Sequence, residues 1–310
     1  MSLIIVSIFV LYCLYSGIVF VFFRSHYKGI RFSTKNITYI AMLTAASVTI
    51  TVVISRVVPF TVLPPVRISF EGLMVKIAGF VFGPIVGFAS GLITDLICIL
   101  FIPTYFHIAY LITIVAYGFV CGLASDFNKL VKEKKWIIFL ISNILILLFS
   151  FLLIYNITTF TGKEIAIYHK LKVPKKLALS IISGVCILIF LIQAIAFVIC
   201  YLQKKKNKNS FLLKIYYIYE SQKFFPQKFN DNMLAIVFLA IVTELFITAL
   251  IVPWGDLSLF KVKNQPRGVA SGFMAILMYR CMEAPIKIIF NSALIYSSYM
   301  VMKPLIKKDK

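Results

Sequence analysis

Apolar runs of membrane length, repeated along nearly the whole chain, constrain this sequence more than any other feature. A bilayer core takes about 20 apolar residues per helix, and nine segments approach or exceed that length: 3–23, 37–59, 68–82, 84–102, 106–125, 136–158, 177–202, 232–252 and 272–302. Their boundaries fall on helix breakers, notably Pro59, Gly83-Pro84, Pro103 and Pro253. Inside lipid no water is available to backbone amides, so a run of this kind must satisfy its own hydrogen bonds as a helix. With 61% hydrophobic and 14% charged residues, against about a quarter charged in soluble domains, the expected fold class is an all-α polytopic membrane protein.

The formal charge of +21 invites a nucleic-acid reading, but the basic residues sit in short clusters between apolar runs. That distribution follows the positive-inside rule and fits anionic headgroups of the lipid bilayer, with no nucleic-acid partner. Segments 24–35, 126–135, 203–231 and 303–310 hold 4, 4, 7 and 4 Lys/Arg and are expected in the cytoplasm. The alternate connections carry Arg67; Lys163, Lys170, Lys172, Lys175 and Lys176; and Lys261, Lys263 and Arg267. Localisation is therefore the cell membrane, multi-pass, with the N-terminus outside and the C-terminus cytoplasmic. The first run begins at Leu3 without a basic region before it and is followed by Arg24, Lys28 and Arg31, so it reads as a retained helix. Segment 203–231 mixes lysines with Phe, Tyr and Leu and fits either an interfacial helix or a basic loop.

No catalytic constellation is present. GxxxxGK[ST], HExxH, GxSxG and CxxC are all missing, and Thr161-Gly162-Lys163 lacks the upstream glycine of a phosphate loop. Cys13, Cys98, Cys121, Cys186, Cys200 and Cys281 are scattered through apolar runs without ligand spacing, which points to small buried residues rather than disulfides or a metal site. The expectation is a non-enzyme with no cofactor and no metal.

Charges within or beside apolar runs are costly and usually functional; here they are Glu71, Lys76, Asp95, Glu244, Arg280, Glu283 and Lys287. Arg280, Glu283 and Lys287 share one helical face by spacing, either as an ion-pair ladder or with Arg280 as a carboxylate clamp. Gly83, Gly87 and Gly91 recur every four residues ahead of Asp95, a small-residue face expected to serve helix packing. Ala41 and Ala45 form a second such pair. Among the outer connections, Arg67, Phe70, Thr104, Tyr105, Phe106, His107 and Trp254 combine aromatic and polar groups suited to a planar anionic small molecule. The alternative, an interfacial aromatic belt, accounts for Trp254 and Tyr110.

The stretch RISFEGLMVKIAGFVFGPIVGFASGLITDL resembles the membrane-embedded substrate-binding (S) components of energy-coupling factor vitamin transporters, with folate-type members nearest. The shared pattern is an arginine (Arg67), a Gly-x-x-x-Gly-Pro turn (Gly79 to Pro84), a small-residue helix ending in Thr-Asp (Gly87 to Asp95) and Tyr-Gly-x-x-x-Gly-Leu at 117–123. The Ala41/Ala45 pair resembles the element by which such proteins dock on a coupling subunit, and Arg280 with Pro285 fits loosely. The sequence departs from the folate pattern at Ile102 to His107 and at Glu283, where a lysine is expected. The candidate substrate-binding residues are Arg67, Phe70, Thr104, Tyr105, His107, Trp254 and Arg280; of these the resemblance itself carries Arg67 and, loosely, Arg280. It also implies capture of a vitamin outside and toppling against a transmembrane coupling protein driven by two ATPases. The implied core has six helices, the first four in 36–126 and the last two in 232–310; 1–35 and 127–231 contribute about three extra transmembrane helices and basic cytoplasmic segments. The alternatives are an S component for riboflavin, pantothenate or nicotinate, or a membrane scaffold or assembly protein.

Overall fold

The computed structural model describes residues 34–57, 64–101, 106–131, 135–159, 164–168, 171–208, 232–262 and 269–307. The predicted span 3–23, Thr104, Tyr105 and most of 203–231 lie outside the described residues. The chain divides into two compact units, 1–42 and 43–310; of the first, only the opening turns of α1 are described.

Each remaining predicted segment falls on a helix. In chain order these are α1 (Thr34–Val57), α2 (Pro64–Phe82), α3 (Pro84–Phe101), α4 (Ile108–Leu130), α5 (Trp136–Thr159), α6 (Lys175–Lys208), α7 (Met233–Val242), a π-helical turn (Thr243–Thr248), α8 (Ala249–Val262) and α9 (Val269–Lys307). Among the described residues, five helices are long and apolar enough to cross a membrane: Pro84–Phe101, Ile108–Lys129, Trp136–Thr159, Lys175–Tyr201 and Met233–Ser258. Their outward faces carry large apolar side chains such as Leu100, Phe151 and Ile187, all exposed. Bilayer lipid, not water, is the solvent that makes such a surface stable. This is an all-α polytopic membrane protein.

Two features depart from the expected boundaries. The connection 159–176 was expected to be a loop, yet it contains an antiparallel hairpin, β1 (Glu164–Tyr168) with β2 (Leu171–Pro174), paired Glu164 to Pro174 and Ile165 to Val173. Its cause is local: Glu-Ile-Ala-Ile-Tyr and Leu-Lys-Val favour extended backbone through β-branched and aromatic residues. The predicted helix 232–252 does not stop at Pro253 but continues through it to Val262. Proline removes one backbone donor, a loss that neighbouring groups absorb in membrane helices. The π-turn just upstream already redirects the ladder, the Ala249 amide donating to the Glu244 carbonyl five residues back.

The helices of residues 43–310 pack in three groups. In the first, α2, α3 and α4 approach to backbone contact. Gly83 has φ 101, a left-handed conformation that costs an L side chain but not glycine, and it reverses the chain between α2 and α3 within one residue. A Cβ on Gly79 or Gly87 would collide with the Gly118 backbone, one on Gly122 with Pro84, and one on Gly91 would sit 2.9 Å from the Ile114 carbonyl oxygen. Gly87 and Gly91 of α3 thus lie against the backbone of α4, and Gly79, Gly118 and Gly122 make the same kind of close approach. Thr44 of α1 reaches Ser90 of α3 at 3.3 Å. Asp95 is buried in the same face of α3, at 1% exposure.

The second group is α7–α8 with α9. Buried residues of α9 (Leu277, Cys281, Ala284, Ile288, Asn291 and Ile295) alternate by four and three positions, the repeat of a helix that keeps one seam inward. Ile286, Ile289 and Phe290 face outward. The third group, α5 with α6, packs on the second through an apolar core containing Ile138, Phe149, Leu153, Ile182, Ile189, Leu245, Met278 and Ile288.

The glycine contacts generate a direct test. Gly118→Val forces apart two backbones already in contact, and overpacking of this kind costs at least ~1–3 kcal/mol. Gly184 of α6 has no described residue within 4 Å of its missing Cβ. Thermal unfolding in detergent is expected to show a clear loss for Gly118→Val and none for Gly184→Ala.

Candidate functional site

The first and second groups meet through an apolar cluster around Ile77, Phe80, Ile236 and Leu239 and, alongside it, along a face that is polar. Its rungs come from α2, α4, the π-turn, α8 and α9. Near the middle, Lys76 Nζ donates to Glu244 Oε1 at 2.8 Å, and Asn291 Nδ2 donates to the same oxygen at 2.8 Å. Lys76 and Glu244 are 3% and 4% exposed. The ammonium also lies 4.2 Å from the centre of the Tyr117 ring, a cation–π contact that gains strength away from water. An isolated ion here would be very expensive, so the pair persists only because its geometry and extra hydrogen bond offset desolvation.

One level along, the Tyr117 hydroxyl pairs with Thr248 Oγ1 at 2.5 Å. Thr248 also donates to the Thr243 carbonyl at 3.1 Å, five residues back. The widened turn is therefore part of the site: it turns Glu244 and Thr248 inward together, and π-turns recur at functional positions.

Beyond this, Asp256 of α8 receives two donors. The Tyr110 hydroxyl reaches Oδ1 at 2.8 Å and Arg280 Nη2 reaches Oδ2 at 2.9 Å. Asp256 and Arg280 are both deeply buried. Arg280 Nη1 lies 3.5 Å from Glu283, which accepts from Lys287 at 2.6 Å. Arg280 Nε is buried with no hydrogen-bond partner among the described residues. Tyr110 and Tyr117, two turns apart on α4, are each seated by a glycine. A Cβ on Gly255 would lie 2.7 Å from the Tyr110 ring, and one on Gly72 equally close to the Tyr117 ring.

The ladder ends in aromatics. The His107 ring meets Trp254 edge to face at 5.2 Å and Tyr110 at 6.1 Å. His107 also caps α4, its Nδ1 accepting from the Ala109 amide at 3.2 Å, so the neutral ring carries its proton on Nε2. Burial lowers the imidazole pKa below its usual 6.5, which keeps that acceptor available through neutral pH.

Of the residues expected to bind substrate, the fold gathers His107, Trp254 and Arg280 at one end of this ladder, joined through Tyr110 and Asp256. Arg67 and Phe70 fall on the helical backbone of α2, and their side chains, like Thr104 and Tyr105, lie outside the described residues. Tyr110 is not a belt residue: at 2% exposure with its hydroxyl on Asp256, it is a member of the site. The face formed by Arg280, Glu283 and Lys287 does carry a ladder of ion pairs, but the strongest partner of Arg280 is on another helix. Ala41 and Ala45 are each exposed on α1.

Asp256 and the pairing of Lys76 with Glu244 escape sequence reasoning for separate reasons. Pro253 makes the helix seem to end before Asp256, so the aspartate reads as a loop residue. Lys76 and Glu244 are recognisable as intramembrane charges of opposite sign, yet no local spacing links positions 168 apart.

Geometry alone defines a multi-pass membrane protein with a polar, aromatic-lined interior face. A profile of the family described as "ECF-type riboflavin transporter, S component" matches residues 31–205, more than half of the chain. The chain belongs to this family. The matched region runs from α1 through most of α6 and stops before α7. A Mycoplasma pneumoniae protein described as "Uncharacterized protein MG098 homolog" is 30% identical over 123 residues, covering 37% of this chain and 26% of that protein. The chain thus spans about a quarter of the length of that curated relative. No solved structure matches.

The central pair makes a double-mutant prediction. Lys76→Met leaves Glu244 charged and buried, a loss of about 3–5 kcal/mol, whereas removing both charges together is often close to neutral. Lys76→Met is therefore expected to unfold at lower temperature in detergent than Lys76→Met/Glu244→Met. Equal losses in the two variants contradict the pairing.

Proposed function

We propose that this protein is a vitamin-binding S component that captures a planar heteroaromatic vitamin at the end of the ladder where His107, Trp254, Tyr110 and Arg280 converge. The observation that carries the reading is the buried Tyr110–Asp256–Arg280 cluster beside two aromatic rings. It offers ring-stacking surface, directional polar groups and a buried donor, Arg280 Nε, without a partner among the described residues. Such a combination fixes orientation in a mostly apolar site.

Riboflavin is the substrate this reading favours. Lys76, Arg280 and Lys287 are each paired with a carboxylate, so these groups present no net charge and suit an uncharged ring system. The family description supports the same choice. Folate is the second reading: the likeness of 67–95 to folate-type members favours it, and Arg67 would supply the cation that a dicarboxylate tail requires. Under either reading Arg67, Phe70, Thr104 and Tyr105 complete the binding end, which faces outside, and the C-terminus is cytoplasmic. The six-helix core is then α1–α4 with α7–α8 and α9, a division supported by the polar ladder between those groups. The partners are a transmembrane coupling protein and two ATPases, with Ala41 and Ala45 on the docking face. The protein's own role is to bind and deliver, not to catalyse.

Purified protein is expected to bind riboflavin saturably without ATP, and folate more weakly, in a panel that includes pantothenate, thiamine and nicotinate. Ala41→Trp is expected to abolish uptake in cells that carry the whole transporter while leaving binding intact. A panel without a saturable ligand overturns the vitamin reading. Co-purification with assembly factors in place of the ATPases would favour a scaffold.

A further inference from the structure

We propose that Asp256 is the residue that sets the charge preference of this site. It acts through Arg280, holding the guanidinium neutralised so that uncharged ligands are accepted and anionic ones rejected. The inference rests on the flavin reading above and deepens it.

Arg280 is 6% exposed and donates to Asp256 at 2.9 Å. A guanidinium in that position is the natural partner of a ligand carboxylate or phosphate. Here the protein supplies the anion itself. Asp256 is fixed from the other side by the Tyr110 hydroxyl at 2.8 Å, and the Tyr110 ring can lie against α8 only because position 255 is glycine. Glu283, at 3.5 Å from Arg280 and bonded to Lys287 at 2.6 Å, completes a group of two cations and two carboxylates with no net charge left to attract an anion. An incoming phosphate would have to displace a held carboxylate or sit beside it, and like charges brought together in an interface are strongly unfavourable. A neutral ligand leaves the pair undisturbed and can accept from Arg280 Nε, a buried donor with no hydrogen-bond partner among the described residues.

Riboflavin and riboflavin 5′-phosphate make the test clean, since they share the ring and differ in charge. Flavin fluorescence quenching by the full-length protein in detergent gives both dissociation constants. Wild type is expected to prefer riboflavin by about tenfold or more, and Asp256→Asn to narrow or reverse that ratio by about tenfold. A purely structural role for Asp256 would weaken both ligands alike and leave the ratio unchanged; that outcome, or a wild type that binds both equally, overturns the inference. Should Asp256→Asn fail to fold, a double variant carries the test. Asp256→Asn/Arg280→Gln, which removes both charges at once, is then expected to keep the preference for riboflavin within a few-fold of equal binding. A strong preference for the phosphate in that double variant counts against the account. Absence of any flavin binding by wild type defeats the functional reading itself, and the inference with it.

Discussion

The buried pair between Lys76 and Glu244 is the interaction on which the arrangement depends. It ties α2 to the π-turn across 168 residues of sequence and takes in Asn291 of α9 through the same carboxylate oxygen. A charge placed alone at that depth would be intolerable, so each partner specifies the other's position. Helices in a membrane have no strong hydrophobic reason to choose one neighbour over another, because lipid tails are as apolar as leucine. The polar face supplies that choice: α5 and α6 meet α7–α9 through apolar packing, while α2 and α4 add named donors and acceptors to the apolar cluster they share with α7 and α9.

Glycine makes the polar face reachable. Gly79, Gly87, Gly118 and Gly122 let α2, α3 and α4 approach until backbones touch. Gly72 and Gly255 then give room for two tyrosine rings to lie flat, so that their hydroxyls reach Thr248 and Asp256. Small residues that read as packing elements thus determine where the binding groups stand. The two divisions of the chain, by family match and by packing, differ in an informative way. The match covers α1 to α6, whereas the polar contacts of α2 and α4 are made with α7–α9.

Much of this was legible in the sequence because membrane helices announce themselves by length and composition. The turn at Gly83-Pro84, the small-residue face from Gly87 and the intramembrane charges could all be read directly. The extension of α8 through Pro253 could not, since proline ends most helices and the π-turn that accommodates it leaves no pattern of its own. The hairpin at 164–174 was hidden for another reason: its five neighbouring lysines mark it as a connection, and the β-forming residues between them are few. Arg280, His107 and Trp254 were identified as separate candidates on chemical grounds. What joins them, Tyr110 and Asp256, depends on helix register across the bundle, which a single sequence does not carry.

The central claim is that the ligand occupies the aromatic end of a pre-formed polar ladder between α4, α8 and α9. An experimental structure of the full-length protein with bound riboflavin tests it most directly. The account predicts the ring beside Trp254, Tyr110 and His107, with Arg280 still held by Asp256 and Lys76 still on Glu244. A ligand seated between α5 and α6, or a bundle in which Lys76 and Glu244 stand apart, would contradict it.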